Sequence, residues 1–102
     1  TLGSIGNCAD LLREKGESDA ARRAMGDAPE VAREVLGADH MHTLVLEAKA
    51  ARIDIALGDA DANALRDVVA RMEAALGAEH LQTRKYSAIS REPATPPISS
   101  RP

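Results

Sequence analysis

Three histidines and two carboxylates are the residues of this chain whose chemistry could serve a metal ion. His40 and His42 are separated by one residue, and His80 lies forty positions after His40. Asp39 and Glu79 directly precede His40 and His80. Imidazole and carboxylate groups are ordinary ligands of zinc and other transition metals. A metal-dependent enzyme that uses His40, His42 and His80 is therefore one hypothesis.

The same histidines also belong to a segment that the chain repeats. Residues 35–44 read VLGADHMHTL and residues 75–84 read ALGAEHLQTR, with five identities over the eight positions that begin at the leucine. A glycine after an apolar helical run is a common helix end, and an acidic residue is favoured where the next helix starts. We therefore expect a helix junction, with Asp39 as a candidate cap and with hydrogen bonds from His40 and His80. Packed helices lie about 10 Å apart, too far for His40 and His80 to share an ion.

A second candidate for chemistry is Cys8, the single cysteine. It has no partner for an internal disulfide, which fits a reducing compartment. We predict that Cys8 is a small buried residue of the first helix and not a nucleophile. The sequence contains no glycine-rich phosphate loop, nucleophile elbow or paired-cysteine motif. It therefore predicts a non-catalytic protein without a cofactor.

Composition favours helix and argues against two classes of partner. The chain has twenty alanines, one tyrosine and no other aromatic residue, and alanine is the best helix former. The net charge is −3 and both signs are interspersed. The sequence therefore predicts no basic patch of the kind that binds nucleic acid. No apolar run approaches the roughly 20 residues that span a bilayer. We expect a cytoplasmic protein, and Thr at position 1 indicates a piece of a longer chain.

Helical periodicity organises the chain into repeated helix pairs. Leu65, Val68, Val69, Met72 and Leu76 form one apolar stripe, which predicts a helix over residues 60–76. Two helices per unit with a period of 40 to 42 residues predict an all-α solenoid of antiparallel helix pairs, with about two repeats and a partial third. The predicted helices are 1–15, 19–36, 43–57 and 60–76. The predicted divisions are 1–89 as repeats (unit one 1–42, unit two 43–82, partial unit three 83–89) and 90–102 as a disordered Pro/Ser-rich tail.

One predicted helix, 19–36, contains residues that do not suit a helix interior. Pro29 inside it would cost about 3 kcal/mol or more. Asp27 and Glu30 have capping-box spacing, and a new start at Asp27 would place Pro29 in a first turn. We therefore predict a break near Gly26–Asp27.

The repeat resembles the long-period tetratricopeptide repeat of kinesin light chains. The matching residues are Thr1, Leu2, Ser4, Ile5, Asn7, Ala9, Leu11, Leu12, Gly16, Asp19, Ala21, Ala28, Leu36, Gly37, Asp39 and His40. The chain departs from that pattern at Met41 and Leu81, which replace a proline. Glu47, Lys49 and Asp54 stand where the family prefers Leu, Asn and Leu, and this indicates a degraded first helix in unit two.

The resemblance implies a protein-binding module whose first helices line a concave groove for an extended peptide. The groove positions would be Asn7, Asp10 and Arg13 in unit one, and Lys49 and Arg52 in unit two. Arg and Lys there would favour acidic peptides, although these residues could equally form a solvated polar face. In a kinesin light chain the partners would be the kinesin heavy chain or cargo of a motor complex. The alternative is a scaffold or regulatory array of a signalling NTPase, and the isolated fragment could self-associate because solenoids need roughly three units.

Overall fold

The computed structural model describes residues 2–91, which form six α-helices and no strand. The helices are α1 Leu2–Glu14, α2 Ser18–Met25, α3 Ala28–Leu36, α4 Met41–Ala56, α5 Ala62–Leu76 and α6 Leu81–Arg91. Residues 90 and 91, which we expected in the tail, are the last two residues of α6. Residues 92–102, the remainder of the predicted tail, lie outside the described part of the chain. No helix within residues 2–91 is long and apolar enough to cross a membrane.

The helices pack in the order expected of a solenoid. Helix α1 packs against α2, α4 packs against α5, and α5 packs against α6. Helix α4 also contacts α1, α2 and α3, so it joins the first helix group to the second. The predicted all-α, tetratricopeptide-like architecture is confirmed, with two helix groups followed by one further helix.

The predicted break in the second helix is confirmed, but its predicted cap is wrong. Gly26 ends α2 with φ 53°, a conformation that favours glycine, and Pro29 lies in the first turn of α3. Asp27 is the N-cap residue of α3, yet its side chain makes no capping hydrogen bond. Its backbone has ψ 18°, whereas side-chain capping normally uses an extended conformation.

Two apolar clusters hold the helices together, and α4 contributes to both. The first cluster is built mainly from alanines of α1, α2 and α3, with Leu46 and Ile53 of α4. The second joins Leu44 and Ala48 of α4 to α5 and to the fully buried Tyr86 of α6. The buried residues of α5 are Leu65, Val68, Val69 and Met72, and Leu76 packs partly buried, which confirms the predicted stripe.

Helix α4 is continuous although three of its residues depart from the repeat pattern. It is a continuous helix of 16 residues. Glu47 is 8% exposed and accepts hydrogen bonds from Arg33 of α3 at 2.6 Å (Nη2) and 3.2 Å (Nε). Its second oxygen lies 2.5 Å from Arg71 of α5. Asp54 accepts from Arg22 of α2 at 2.8 Å, so the acidic residues that break the repeat pattern have cationic partners on neighbouring helices.

Cys8 is exposed, so the prediction that it is buried is wrong. Helix α1 packs on α2, α3 and α4, which leaves one side of it without a neighbour among residues 2–91. Ser4, Cys8 and Leu11 are exposed at helical spacing and therefore share that open side.

The two copies of the repeated junction have the same geometry. Gly37 and Gly77 have φ 102° and 97° with ψ 153° and 148°, a region that is nearly restricted to glycine. His40 and His80 then each accept a hydrogen bond at Nδ1, from the backbone N–H of His42 and of Gln82, both at 3.1 Å. This confirms the predicted hydrogen-bonding role of the two histidines. It also corrects the expectation for Asp39, because His40 caps α4.

We predict that His40→Ala lowers the free energy of unfolding by about 1 kcal/mol, the usual cost of losing an N-cap. His40→Asp should retain most of the stability, because aspartate is a good cap. His42→Ala is the matched control, since His42 contributes its backbone N–H to the cap and not its ring. Urea unfolding followed by circular dichroism measures all three variants. Equal losses in His40→Ala and His42→Ala would contradict the capping role.

Thr43 and Thr83 follow the capping histidines in the two junctions, and both hydroxyls are buried without a hydrogen-bond partner among the described residues. A buried unsatisfied hydroxyl costs about 1–3 kcal/mol. We therefore expect Thr43→Val, which keeps the side-chain shape, to raise the free energy of unfolding by about 1 kcal/mol. Thr43→Ser keeps the hydroxyl and loses a buried methyl, so it should be less stable than wild type. A loss of stability in Thr43→Val would mean that the hydroxyl has a partner.

Candidate functional site

The groove residues predicted on α1 and α4 meet across the contact between these helices. Lys49 of α4 donates from Nζ to Oδ1 of Asn7 on α1, at 3.0 Å. On α1, Asp10 accepts from Arg13 at 2.9 Å (Nη2) and 3.2 Å (Nε), and both side chains are mostly buried. Arg52 of α4 is half-buried and forms no ion pair within residues 2–91.

Helix α6 adds two residues that sequence reasoning did not assign to this face. Lys85 holds its Nζ 5.3 Å from the ring centroid of Tyr86. Tyr86 is fully buried, and its hydroxyl has no hydrogen-bond partner in the part of the chain that the structure describes. Burial is the main cause that raises the pKa of Tyr86, and Asp10 raises it further while Arg52 and Arg13 lower it. Charges on α1 and α4 therefore act on the tyrosine of α6.

The repeat offset indicates the buried position of Tyr86 but not the charge of Lys85. A shift of forty positions relates Val45 to Lys85 and the buried Leu46 to Tyr86. In the sequence, residues 83–89 form only an incomplete unit, and the family resemblance assigns no groove residue to it.

We call Asn7, Asp10, Arg13, Lys49, Arg52 and Lys85 the charged face. It carries four cationic side chains and one carboxylate, and that carboxylate is already paired with Arg13. The whole chain has a net charge of −3, so this local excess of positive charge runs against the overall balance. A face of this kind attracts anionic groups.

Lys49 is the residue of the charged face whose pKa is most clearly shifted by burial. It is 9% exposed, and this burial lowers the pKa of its ammonium group. Asp10 partly opposes the shift, whereas the like charge of Lys85 adds to it. Lys49 therefore lies in a position where its charged form is disfavoured and would be favoured by an additional anion.

His40, His42 and His80, the candidate metal ligands, lie in the two helix junctions and do not form one site. His40 and His80 each use Nδ1 as a helix cap, and the rings of His40 and His42 stack with centroids 5.4 Å apart. Residues 2–91 contain no group of three or more His, Cys, Asp or Glu side chains placed to hold a metal ion.

The repeated helix pairs, the glycine junctions and the face shared by α1, α4 and α6 define a helical-repeat protein of the α-solenoid class. Residues 1–42 match a family model described as tetratricopeptide repeat, which supports a tetratricopeptide repeat in unit one. No curated protein and no solved structure matches the chain. The tetratricopeptide repeat points in general to a module that binds other proteins.

We predict that Lys49→Met stabilises the protein near neutral pH, because an apolar side chain replaces a desolvated ammonium at similar length. The pKa of Lys49 is lower in the folded state, so the unfolded state holds the proton more tightly. The resulting penalty is present below the lowered pKa and disappears as the pH rises through it towards 10.5, the ordinary value. The stability difference between Lys49→Met and wild type should therefore shrink between neutral pH and pH 10.5.

Thermal unfolding at a series of pH values, followed by circular dichroism, measures this difference. Lys15→Met is the matched control, because Lys15 is exposed and its removal should not change stability in the same way. A Lys49→Met variant that is less stable than wild type at every pH would contradict the prediction.

Proposed function

We propose that the charged face binds an extended acidic segment of a partner protein, without catalysis and without a cofactor. The observation that supports this most directly is the excess of cationic groups on α1, α4 and α6. Within residues 2–91, Arg52 and Lys49 form no ion pair with a carboxylate. Solenoids of helix pairs commonly present such a face on their concave side. Asn7 suits peptide backbone, because a side-chain amide can both donate and accept.

The proposal also divides the chain into repeat units, each with one first helix on the charged face. Unit one would span residues 1–42, unit two 43–82 and a partial unit three 83–89, with α1, α4 and α6 as the first helices of successive units. Each first helix contributes at least one cationic side chain, namely Arg13, Arg52 or Lys85. A bound segment would therefore cross all three units and place an acidic residue near each.

The resemblance to kinesin light chains suggests cargo or adaptor binding in a cytoplasmic motor complex, with the kinesin heavy chain as a partner of the parent protein. A regulatory array attached to a signalling NTPase is the alternative. Both place the binding event on the same face, so the first test concerns the face itself.

We expect a fluorescein-labelled dodecapeptide of alternating Glu and Leu residues to bind with an affinity that falls as salt is added, because the contacts are between charges. A peptide with Lys in place of every Glu should not bind. Arg52→Glu should weaken binding of the acidic peptide by about tenfold or more, equivalent to about 1.4 kcal/mol. Fluorescence anisotropy measures each affinity.

The matched control is Arg23→Glu, which makes the same charge change on the exposed side of α2. It should leave peptide affinity within about twofold, since charges beyond a Debye length of roughly 8–10 Å are screened. Equal losses in Arg52→Glu and Arg23→Glu would mean that the peptide responds to net charge alone, and the proposal would then fail.

A further inference from the structure

One side of α6 carries a stripe of residues that stays exposed within residues 2–91. Leu81, Arg84, Lys85 and Ala88 are all exposed, and their helical spacing places them on the same side of the helix. We call these residues the outer face of α6. Leu81 is a large apolar residue that is 74% exposed. Covering it with another molecule would remove apolar surface from water, which is favourable.

A hollow of about 590 Å³ lies along the outer face of α6. All the residues of the outer face line it, together with Ser87 of α6, Glu73 near the end of α5 and Ala78 of the second junction. Ala78, Ser87 and Ala88 have small side chains, which permit the close approach that helix packing requires. The small residues of the hollow therefore favour a helix as its occupant.

The repeat relates the outer face of α6 to a surface of α4 that is covered by a helix. A shift of forty positions places Arg84 at Leu44 and Ala88 at Ala48. Leu44 and Ala48 are fully buried, in the apolar cluster that joins α4 to α5. The equivalent surface in unit two is therefore a helix-packing surface. We expect the outer face of α6 to receive a helix in the same way.

The outer face of α6 differs from its counterpart on α4 in charge. Arg84 and Lys85 stand at the positions of Leu44 and Val45. Neither cation forms an ion pair within residues 2–91, where Glu73 is the one carboxylate that lines the hollow. A purely apolar helix would bury two cations without partners, which is unfavourable. Carboxylates on the incoming helix would complement both cations.

We infer that the outer face of α6 docks an α-helix of a partner protein, and that this helix presents carboxylates between apolar residues. The carboxylates pair with Arg84 and Lys85, and apolar side chains pack on Leu81 and on Ala88. A helix with leucines seven residues apart and glutamates between them matches the spacing of the face. Only Lys85 also belongs to the charged face, so the inference does not rest on the peptide binding proposed there.

The helical probe is a fluorescein-labelled peptide of three heptads, each reading Leu-Ala-Ala-Glu-Glu-Ala-Ala, which consists of strong helix formers. The control peptide has the same composition, but the leucine and the second-last alanine of each heptad are exchanged. This exchange moves the leucines to the opposite side of the helix. Fluorescence anisotropy with the full chain measures both affinities. We expect the helical probe to bind at least about tenfold more tightly than the control peptide.

Two variants of the outer face test its charge and its apolar surface separately. Arg84→Glu should weaken binding of the helical probe by about tenfold or more, because it places like charges opposite each other. Leu81→Ala should weaken it by about fivefold, because less apolar surface is buried. The matched controls are Arg23→Glu on α2 and Val35→Ala on α3, where Val35 is 70% exposed. Both controls should leave the affinity within about twofold. All four positions are exposed, and circular dichroism establishes that each variant is folded.

Equal binding of the two helical peptides, or no binding of either, would overturn the inference. A loss in Arg84→Glu no larger than that in Arg23→Glu would overturn it as well. Sedimentation velocity tests the other occupant: a dimer that Arg84→Glu dissociates would assign the outer face to a second copy of the chain and contradict the inference.

Arg52→Glu separates the inference from the proposed function. It should weaken binding of the acidic dodecapeptide and leave binding of the helical probe within about twofold. A helical probe that depends on Arg52 and not on Arg84 would lie on the charged face, and the inference would fail. If the dodecapeptide binds and the helical probe does not, the peptide-binding function stands and only the docking site on α6 fails. The reverse result would leave the docking site standing and refute the peptide-binding function.

Discussion

The junction between units is the constraint on which the rest of the structure depends. Gly37 and Gly77 reverse the chain in a backbone conformation that other residues rarely adopt, and His40 and His80 immediately cap the helix that follows. Because both copies use the same turn and the same cap, α4 and α6 begin in the same way. Lys49, Arg52 and Lys85 of the charged face lie on the two helices that these junctions start.

Stability between the units comes from small side chains supported by ion pairs. The first core cluster is rich in alanine, so α1, α2 and α3 bury little apolar area per residue. Glu47 compensates at the point where α3, α4 and α5 meet, because its two oxygens hold an arginine from each neighbouring helix. Arg22 makes a similar link from α2 to Asp54 and Asp59 at the end of α4. Both sets of ion pairs link neighbouring helices to α4, which also carries Lys49 and Arg52.

Burial and charge oppose one another at Lys49, whose pKa is lowered by desolvation. A leucine or methionine there would avoid the desolvation of an ammonium group between α1 and α4. Gly6 of α1 has a packing reason to be glycine, because a Cβ atom there would lie 2.8 Å from Cδ2 of Leu46. The chain instead combines a buried ammonium with a glycine that makes room for it. Local choices that disfavour folding often mark functional positions. This combination therefore supports a binding role for this part of the face.

The sequence alone determined the helices, the broken second helix and the role of the junction histidines, because these depend on local periodicity, on proline and glycine, and on capping. The resemblance to tetratricopeptide repeats also predicted Asn7 and Lys49 as groove residues, and their role in binding stays a prediction. Only the tertiary structure decided that Glu47 and Asp54 are paired, that Cys8 is exposed and that Tyr86 lies under the face. These features depend on which helices pack together across the chain, and local pattern carries no information about the partner of a side chain on another helix. For the same reason the close approach of Leu46 and Lys49 to Gly6 depends on the packing of α4 against α1.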